Sequence, residues 1–165
     1  MKLRQSVPVL ICLALLSMGG QAVYAGHDHQ HAEQPSASDQ ADVKKYPDCQ
    51  QCGMDRDKFS HSRMLIGYAD GSTAATCSIA CFVTELNGKP GKKIKSIQVA
   101  DYGTKKLIDA RKATWVIGGK KHGVMTSVAK WAFASRRDAD MFVQENGGTI
   151  TGYAEALAAA RKETD

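Results

Sequence analysis

The residues best suited to chemistry are four cysteines in two close pairs, Cys49-Gln50-Gln51-Cys52 and Cys77 with Cys81, and a methionine, Met54, directly after Cys52-Gly53. Thiolate sulfur is a nucleophile and a soft metal ligand, so these pairs could bind a thiophilic cation, form disulfides or exchange them. On spacing, C-x2-C followed by C-x3-C is a metal-site pattern. Met54 shifts the expected metal from Zn²⁺ toward Cu⁺, because thioether sulfur suits Cu⁺ and rarely ligates Zn²⁺. Met54 also lies in a turn followed by Asp55, Arg56, Asp57 and Lys58, where no helix or strand face offers to bury it.

The elements that must position these sulfurs can be read from the pattern around them. Met64 to Ala69 reads as a strand, Asp70-Gly71 as a hairpin turn, and Thr73 to Cys77 as the return strand. A helix follows, with Ile79, Phe82, Val83 and Leu86 on one stripe and Asn87-Gly88 as its stop. At about 100° per residue, Cys77 and Cys81 fall opposite that stripe, at the helix start, where unpaired N–H groups favour thiolate. A Cys-x2-Cys-Gly knuckle, a hairpin and two cysteines at a helix N-terminus follow the order of a treble-clef zinc site. His61, Met64, His122 and Met125 are further candidate ligands, for which packing or surface exposure is the favoured account.

Beyond this unit, Ile94 to Val99 reads as a strand with Ile97 and Val99 on one face. The second half predicts strands at Ala113 to Ile117 and Trp131 to Ala134, then a helix from Ser135 with Asp138 in the capping-box position. Gly147-Gly148 stops that helix, Thr149 to Thr151 adds a short strand, and Tyr153 to Lys162 makes a closing helix. Phe82-Val83-Thr84-Glu85 and Phe142-Val143-Gln144-Glu145 stand 60 positions apart, in elements of the same order. The expected fold is α+β, two tandem ββαβ-type units spanning 47–103 and 104–165, with every cysteine of the mature chain in the first.

The N-terminus reads as a secretory signal: Lys2 and Arg4, an apolar run from Val7 to Met18, and Val23-Tyr24-Ala25 before a cleavage expected after Ala25. The run falls short of the ~20 residues of a spanning helix, and no stable membrane insertion is expected. Cys12 leaves with the signal, so four cysteines reach a periplasmic or secreted compartment where disulfides are the default. Residues 26–46 read as a disordered polar tail in which His27, His29 and His31 could hold Cu²⁺, Ni²⁺ or Zn²⁺. Removing Lys2 and Arg4 takes Lys+Arg from 22 to 20 against 17 Asp+Glu, a balance of +3. The lysines between Lys89 and Lys106 lack the interleaved aromatics of a nucleic-acid surface. No Ser/His/Asp arrangement, phosphate-binding glycine loop or paired carboxylates supports an enzymatic role.

Cys52-Gly53-Met54, Asp70-Gly71, Met125 ahead of Ala132-Phe133, and Ala139, Phe142 and Gly147-Gly148 together resemble the NosL family, periplasmic accessory proteins of nitrous oxide reductase. The resemblance covers roughly Asp48 to Ala156. It implies a two-unit ββαβ fold, Cu⁺ binding with Cys52 and Met54 as ligands, and copper delivery to the reductase's catalytic cluster. This chain departs from the common family pattern in lacking a lipid-attachment cysteine, in reading Val124-Met125-Thr126 where Pro-Met-Gly is usual, and in carrying Cys77 and Cys81, which are not expected in every member. The expectation is therefore a metallochaperone for a recipient copper enzyme or its assembly factors, with Cys49, Cys77 or Cys81 completing the Cu(I) site. The rivals are a structural or metal-sensing four-cysteine module holding Zn(II), and a thiol–disulfide exchange protein.

Overall fold

Strand β1 (Met64–Tyr68) alternates as its sequence requires, with Met64, Ile66 and Tyr68 buried. The structure, a computed structural model, describes residues 40–164. The expected signal, its cleavage after Ala25, and His27, His29 and His31 lie outside the described residues. After β1 the Asp70-Gly71 turn returns the chain as β2 (Thr73–Thr76), with Met64 opposite Thr76 and Gly67 opposite Thr73. Asp70 fixes that turn, its Oδ1 accepting from the Ser72 amide at 2.9 Å and the Ser72 hydroxyl at 2.6 Å. Strand β3 (Ile94–Ala100) pairs with the other side of β1, and β4 (Leu107–Asp109) with β3, giving the antiparallel order β2-β1-β3-β4. Three residues are too few for periodicity to announce β4.

A second antiparallel sheet, ordered β6-β5-β7, is built from β5 (Thr114–Ile117), β6 (Lys130–Phe133) and β7 (Thr149–Thr151). It is joined to the first by a bridge between Asp101 and Ala132, where the Tyr102 amide donates to the Ala132 carbonyl at 2.7 Å. Four helices complete the described residues: α1 (Ala41–Lys45), α2 (Ile79–Gly88), α3 (Arg136–Asn146) and α4 (Tyr153–Thr164). Gly148, at φ +102°, passes so close to β5 that a Cβ there would meet Val116 Cγ1 at 2.8 Å, so only glycine serves at this corner.

Two features differ from the sequence expectation. Within the stretch read as a disordered tail to residue 46, Ala41–Lys45 is helical with Val43 buried. Five residues do not sustain a helix alone. Here Asp42 fastens the helix, its carboxylate bonded to the guanidinium groups of Arg56 and Arg63 at 2.8 and 2.9 Å. Secondly, the Phe-Val pairs 60 positions apart are not equivalent along their helices. The N-cap residues are Ser78 and Ser135, so Phe82 is the fourth helical residue of α2 and Phe142 the seventh of α3.

The interior divides into two clusters. The first packs Met64, Ile66, Ile79, Phe82, Val83 and Val99 with Trp115, Ala156 and Ala160, between the first sheet, α2 and α4. The second packs Cys49, Cys77 and Cys81 with Val116, Trp131, Phe133 and Phe142, bordered by Met54, Phe59 and Tyr102. Helix α2 separates them: its aliphatic stripe enters the first cluster and its cysteine side the second.

Candidate metal centre

The first cysteine pair sits on a tight knuckle between the bridged residues Asp48 and Asp55. The Cys49 amide donates to the Met54 carbonyl and the Gly53 amide to the Cys49 carbonyl, both at 2.8 Å. Gly53 makes the reversal at φ +73°, a conformation that costs glycine little and other residues more. Gln50 docks the knuckle onto the free edge of β2. Its amide donates to the Ala75 carbonyl, and its Oε1 accepts from the Ala75 amide, each at 3.0 Å.

Buried charge anchors the flanks of this loop. Arg56, wholly buried, donates to the carbonyls of Tyr46 (2.6 Å), Thr76 (3.2 Å) and Met64 (3.2 Å) as well as to Asp42. Arg63, equally buried, reaches Ser60 and Lys105 carbonyls and both Asp42 oxygens. Burial alone would push the Asp42 carboxyl up; the hydrogen bonds and charges of Arg63 and Arg56 outweigh it and hold the group below its ordinary range. From α2, Glu85 adds a third anchor. Its carboxylate, 1% exposed, accepts from Gln51 Nε2 at 2.6 Å, Tyr68 OH at 2.6 Å and Lys89 Nζ at 2.7 Å. Desolvation, and then the Glu85 carboxylate, push the Tyr68 hydroxyl up and keep it a donor.

The second cysteine pair brackets the α2 N-cap. Cys77 ends the return strand's path, Ser78 accepts from the Cys81 amide at 3.5 Å, and Cys81 turns inward one helical turn on. Knuckle and helix start thereby bring four sulfurs together. The Sγ atoms of Cys49, Cys52, Cys77 and Cys81 lie within 4.8 Å of one another. Cys77 is central, 3.6 Å from Cys52 and 3.7 Å from Cys81. Cys49, Cys77 and Cys81 are buried and Cys52 is exposed; none is in a disulfide.

The sulfurs do not ionise alike. Hydrogen bonds from the Cys77 and Cys81 thiols, with the Gln51 and Cys52 amides, hold the Cys49 thiol far below its ordinary range against the cost of burial. The same bond to Cys49 pushes Cys77 up to about 12, with burial adding to it. Cys81 is raised for the same reasons, by Cys49 and then Cys77. Four sulfurs this close favour one thiolate served by neighbouring S–H donors. Further ionisation needs a cation, so binding one releases protons.

The expected ligands are thus brought together in part. Met54 is half-buried against the sulfur-bearing cluster, which corrects the view that nothing could bury it: the knuckle folds it back onto Cys49 and its neighbours. The expectation that Cys77 and Cys81 turn away from the aliphatic stripe agrees with the structure, but both are buried, in the second cluster. His61 is not in the four-sulfur group. Its ring packs 5.4 Å from Trp131 and 5.7 Å from Tyr102, and desolvation, with the Lys105 charge, lowers its pKa and favours neutral imidazole. Met64 is enclosed in the first cluster. His122 and Met125 lie on the loop after β5, both exposed, Met125 at 52% and φ +56°. Sequence reasoning missed Asp42, Gln50, Gln51, Arg56, Arg63, Ser78 and Glu85. Of these, Glu85 had a signal, standing four residues after Cys81 on the same helical face.

The fold and site define a class: an antiparallel α+β protein carrying a four-cysteine cluster suited to a soft cation. The family model of NosL matches residues 40–160, and the chain belongs to the NosL family. Among solved structures it is similar to the crystal structure of the copper chaperone NosL from Shewanella denitrificans, at 21% identity and a TM-score of 0.52, over 66% of this chain and 87% of that one. At that identity the likeness is one of fold. No match is found among curated proteins. Among the described residues no helix is long and apolar enough to cross a membrane.

Proposed function

We propose that this protein is a periplasmic Cu⁺-binding metallochaperone, exported by a signal cleaved after Ala25, that hands copper to a copper enzyme such as nitrous oxide reductase. The observation that carries this reading is the cluster of four Sγ atoms within 4.8 Å, three buried and one exposed. Cys52 and Met54 would hold the ion at the accessible side, with Cys49, Cys77 or Cys81 completing a sulfur-only set of low coordination. Membership of the NosL family, and a similar fold described as a copper chaperone, support copper as the cargo. An ion held at an exposed sulfur can pass to a recipient by replacing one ligand at a time, which is transfer rather than catalysis. His27, His29 and His31 would raise the local metal concentration, and Met125, exposed on its loop, is a further place where a thioether could meet the ion.

Competition with a Cu⁺ chelator tests the proposal, with affinity expected to fall strongly in Cys52→Ala and in Met54→Leu. Unchanged affinity in both variants sinks it. A second reading is favoured by the burial of three of the four cysteines, which suits a closed tetrahedral Zn²⁺ site. It predicts stoichiometric zinc in purified protein, unfolding on chelation, and no response to Met54→Leu.

A further inference from the structure

The cluster is unequal in access, and that inequality has a chemical use. Of four sulfurs within 4.8 Å of one another, only Cys52 is exposed, at the tip of a knuckle whose residues Gln50 to Gly53 are all exposed. Its neighbour Cys77, with the two sulfurs 3.6 Å apart, is completely buried. An external disulfide can therefore touch Cys52 but not Cys77, while an adduct on Cys52 lies within reach of the Cys77 sulfur. Closing 3.6 Å to a bond of about 2.05 Å asks for a small movement of an exposed loop whose Gly53 has no atom within 4 Å of where a Cβ would stand.

We propose that Cys52 is a site of thiol–disulfide exchange resolved by Cys77, and that the resulting disulfide closes the cluster to metal. This rests on the cluster's being the metal site. In the first step the Cys52 thiolate attacks one sulfur of a disulfide, a protein's or a low-molecular-weight one. A Cys52 mixed disulfide forms, the incoming S–S bond breaks, and one thiolate leaves. In the second step the Cys77 sulfur attacks Cys52 Sγ, forming the Cys52–Cys77 bond and breaking the mixed disulfide, while the Cys77 thiol proton passes to the departing thiolate, which leaves as a thiol. Two cysteine thiols have lost two protons and two electrons, and the oxidant's disulfide has become two thiols. The oxidised cluster retains Cys49 and Cys81 but has lost its exposed ligand and its central one. Reopening takes the reverse exchange with a dithiol protein, whose attack must come at the same exposed sulfur. A bound cation occupies both thiolates, so loaded protein resists the reaction. A dithiol reductant acting at Cys52 is the partner this geometry fits.

The test uses reduced, metal-free mature chain and oxidised glutathione, with remaining thiols alkylated and peptides mapped by mass spectrometry over time. The expected result is loss of two thiols per chain, a Cys52–Cys77 peptide, and a Cys52→Ser variant that oxidises at least about tenfold more slowly, since its remaining thiols are buried. Cys77→Ser should accumulate the glutathione adduct on Cys52. Because Cys77 is buried and that variant could misfold, the transient Cys52 adduct is also sought in the unaltered chain at short times. Oxidation of Cys52→Ser at the unaltered rate, or a first adduct on another cysteine, overturns the proposal. So does an oxidised chain that binds Cu⁺ and Zn²⁺ as tightly as the reduced one. Thiol accounting involves no copper, so weak Cu⁺ binding by the reduced chain would count against the chaperone reading alone.

Discussion

Helices α2 and α3 begin alike. Each is capped by a serine in extended conformation whose Oγ accepts the amide three residues on, Cys81 at 3.5 Å in α2 and Asp138 at 3.1 Å in α3. Around α3 the flanking side chains are Ala134, Arg136, Arg137 and Asp138, all exposed. The Asp138 carboxylate accepts from the Ser135 hydroxyl at 2.7 Å, a cap completed by an exposed side chain. Around α2 the corresponding space is roofed by the Cys49–Cys52 knuckle, and Cys77, Ser78 and Cys81 are all buried. The difference lies in what covers the cap. A serine cap serves either purpose; the knuckle, pinned by Asp42, Arg56 and Glu85, turns one of the two into a sulfur cluster.

The two helix starts differ most at the carboxylate that pins the knuckle. Asp42→Ala leaves Arg56 and Arg63 buried without their shared carboxylate and is expected to cost about 3–5 kcal/mol, read from urea denaturation. The pH dependence has a defined sign. The Asp42 carboxyl is lowered in the folded chain, so its contribution is fully present above its unfolded value near 3.8 and is lost as pH falls below it. Asp138→Ala, on the exposed cap, should show no comparable loss of stability and no such acid sensitivity.

Next in size is the effect on metal. Cys77→Ser removes the sulfur central to the cluster and should weaken Cu⁺ binding by about 100-fold or more, at or above the upper end of what outer-shell changes do. Asp138→Ala should leave binding unchanged. Cys77 is pushed up to about 12 and Cys81 is raised as well, so both are protonated at neutral pH, and a cation that takes them as thiolates must displace the protons. Cu⁺ affinity is therefore expected to rise with pH across the range below about 12. Chelator competition at three pH values checks this, and a flat profile would mean that neither raised thiol ligates.

How much of this was written in the sequence differs between the two helices. The strands and helices followed from alternation at Met64–Tyr68, from the stripe of Ile79, Phe82 and Val83, and from Ser135 with Asp138, all local patterns. The four cysteines were visible by spacing. The roof was not, because it depends on contacts between distant residues. Arg56 stands in a run of charges that reads as a solvated turn, yet it is wholly buried; its partner Asp42 is 14 positions away in a helix too short to announce itself. Exposure of Cys52 alone among four neighbours is likewise a property of folding, since the Cys-Gly-Met motif singles out Cys52 as a ligand but does not say which sulfurs the fold covers.

Glu85 sharpens the contrast at a smaller scale. Glu85→Gln replaces a buried carboxylate that accepts from Gln51, Tyr68 and Lys89, and α3 carries no counterpart to it among the described hydrogen bonds. Each lost charge-assisted bond leaves a donor to be satisfied, so a cost of about 1–3 kcal/mol is expected. Because Gln51 belongs to the knuckle, Cu⁺ affinity should fall as well, by about 10-fold or more. A loss of stability with unchanged affinity would show that the knuckle keeps its place without this anchor.

The smallest effects separate the two caps themselves. Ser78→Ala and Ser135→Ala each remove one acceptor from a helix N-terminus and should each cost about 1 kcal/mol of stability. If the caps were equivalent, that loss of stability would be the whole effect of each substitution. Ser78, however, lies between two of the sulfurs, its Oγ 4.0 Å from Cys77 Sγ and bonded to the Cys81 amide. Its loss lets the first turn of α2 relax, and that turn sets the position of Cys81. Ser135→Ala has no sulfur to disturb. Equal losses in thermal denaturation, with a weaker Cu⁺ affinity in Ser78→Ala alone, are the expected pair of results. Equal affinities in the two variants would mean that the knuckle, and not the helix cap, fixes the spacing of the sulfurs.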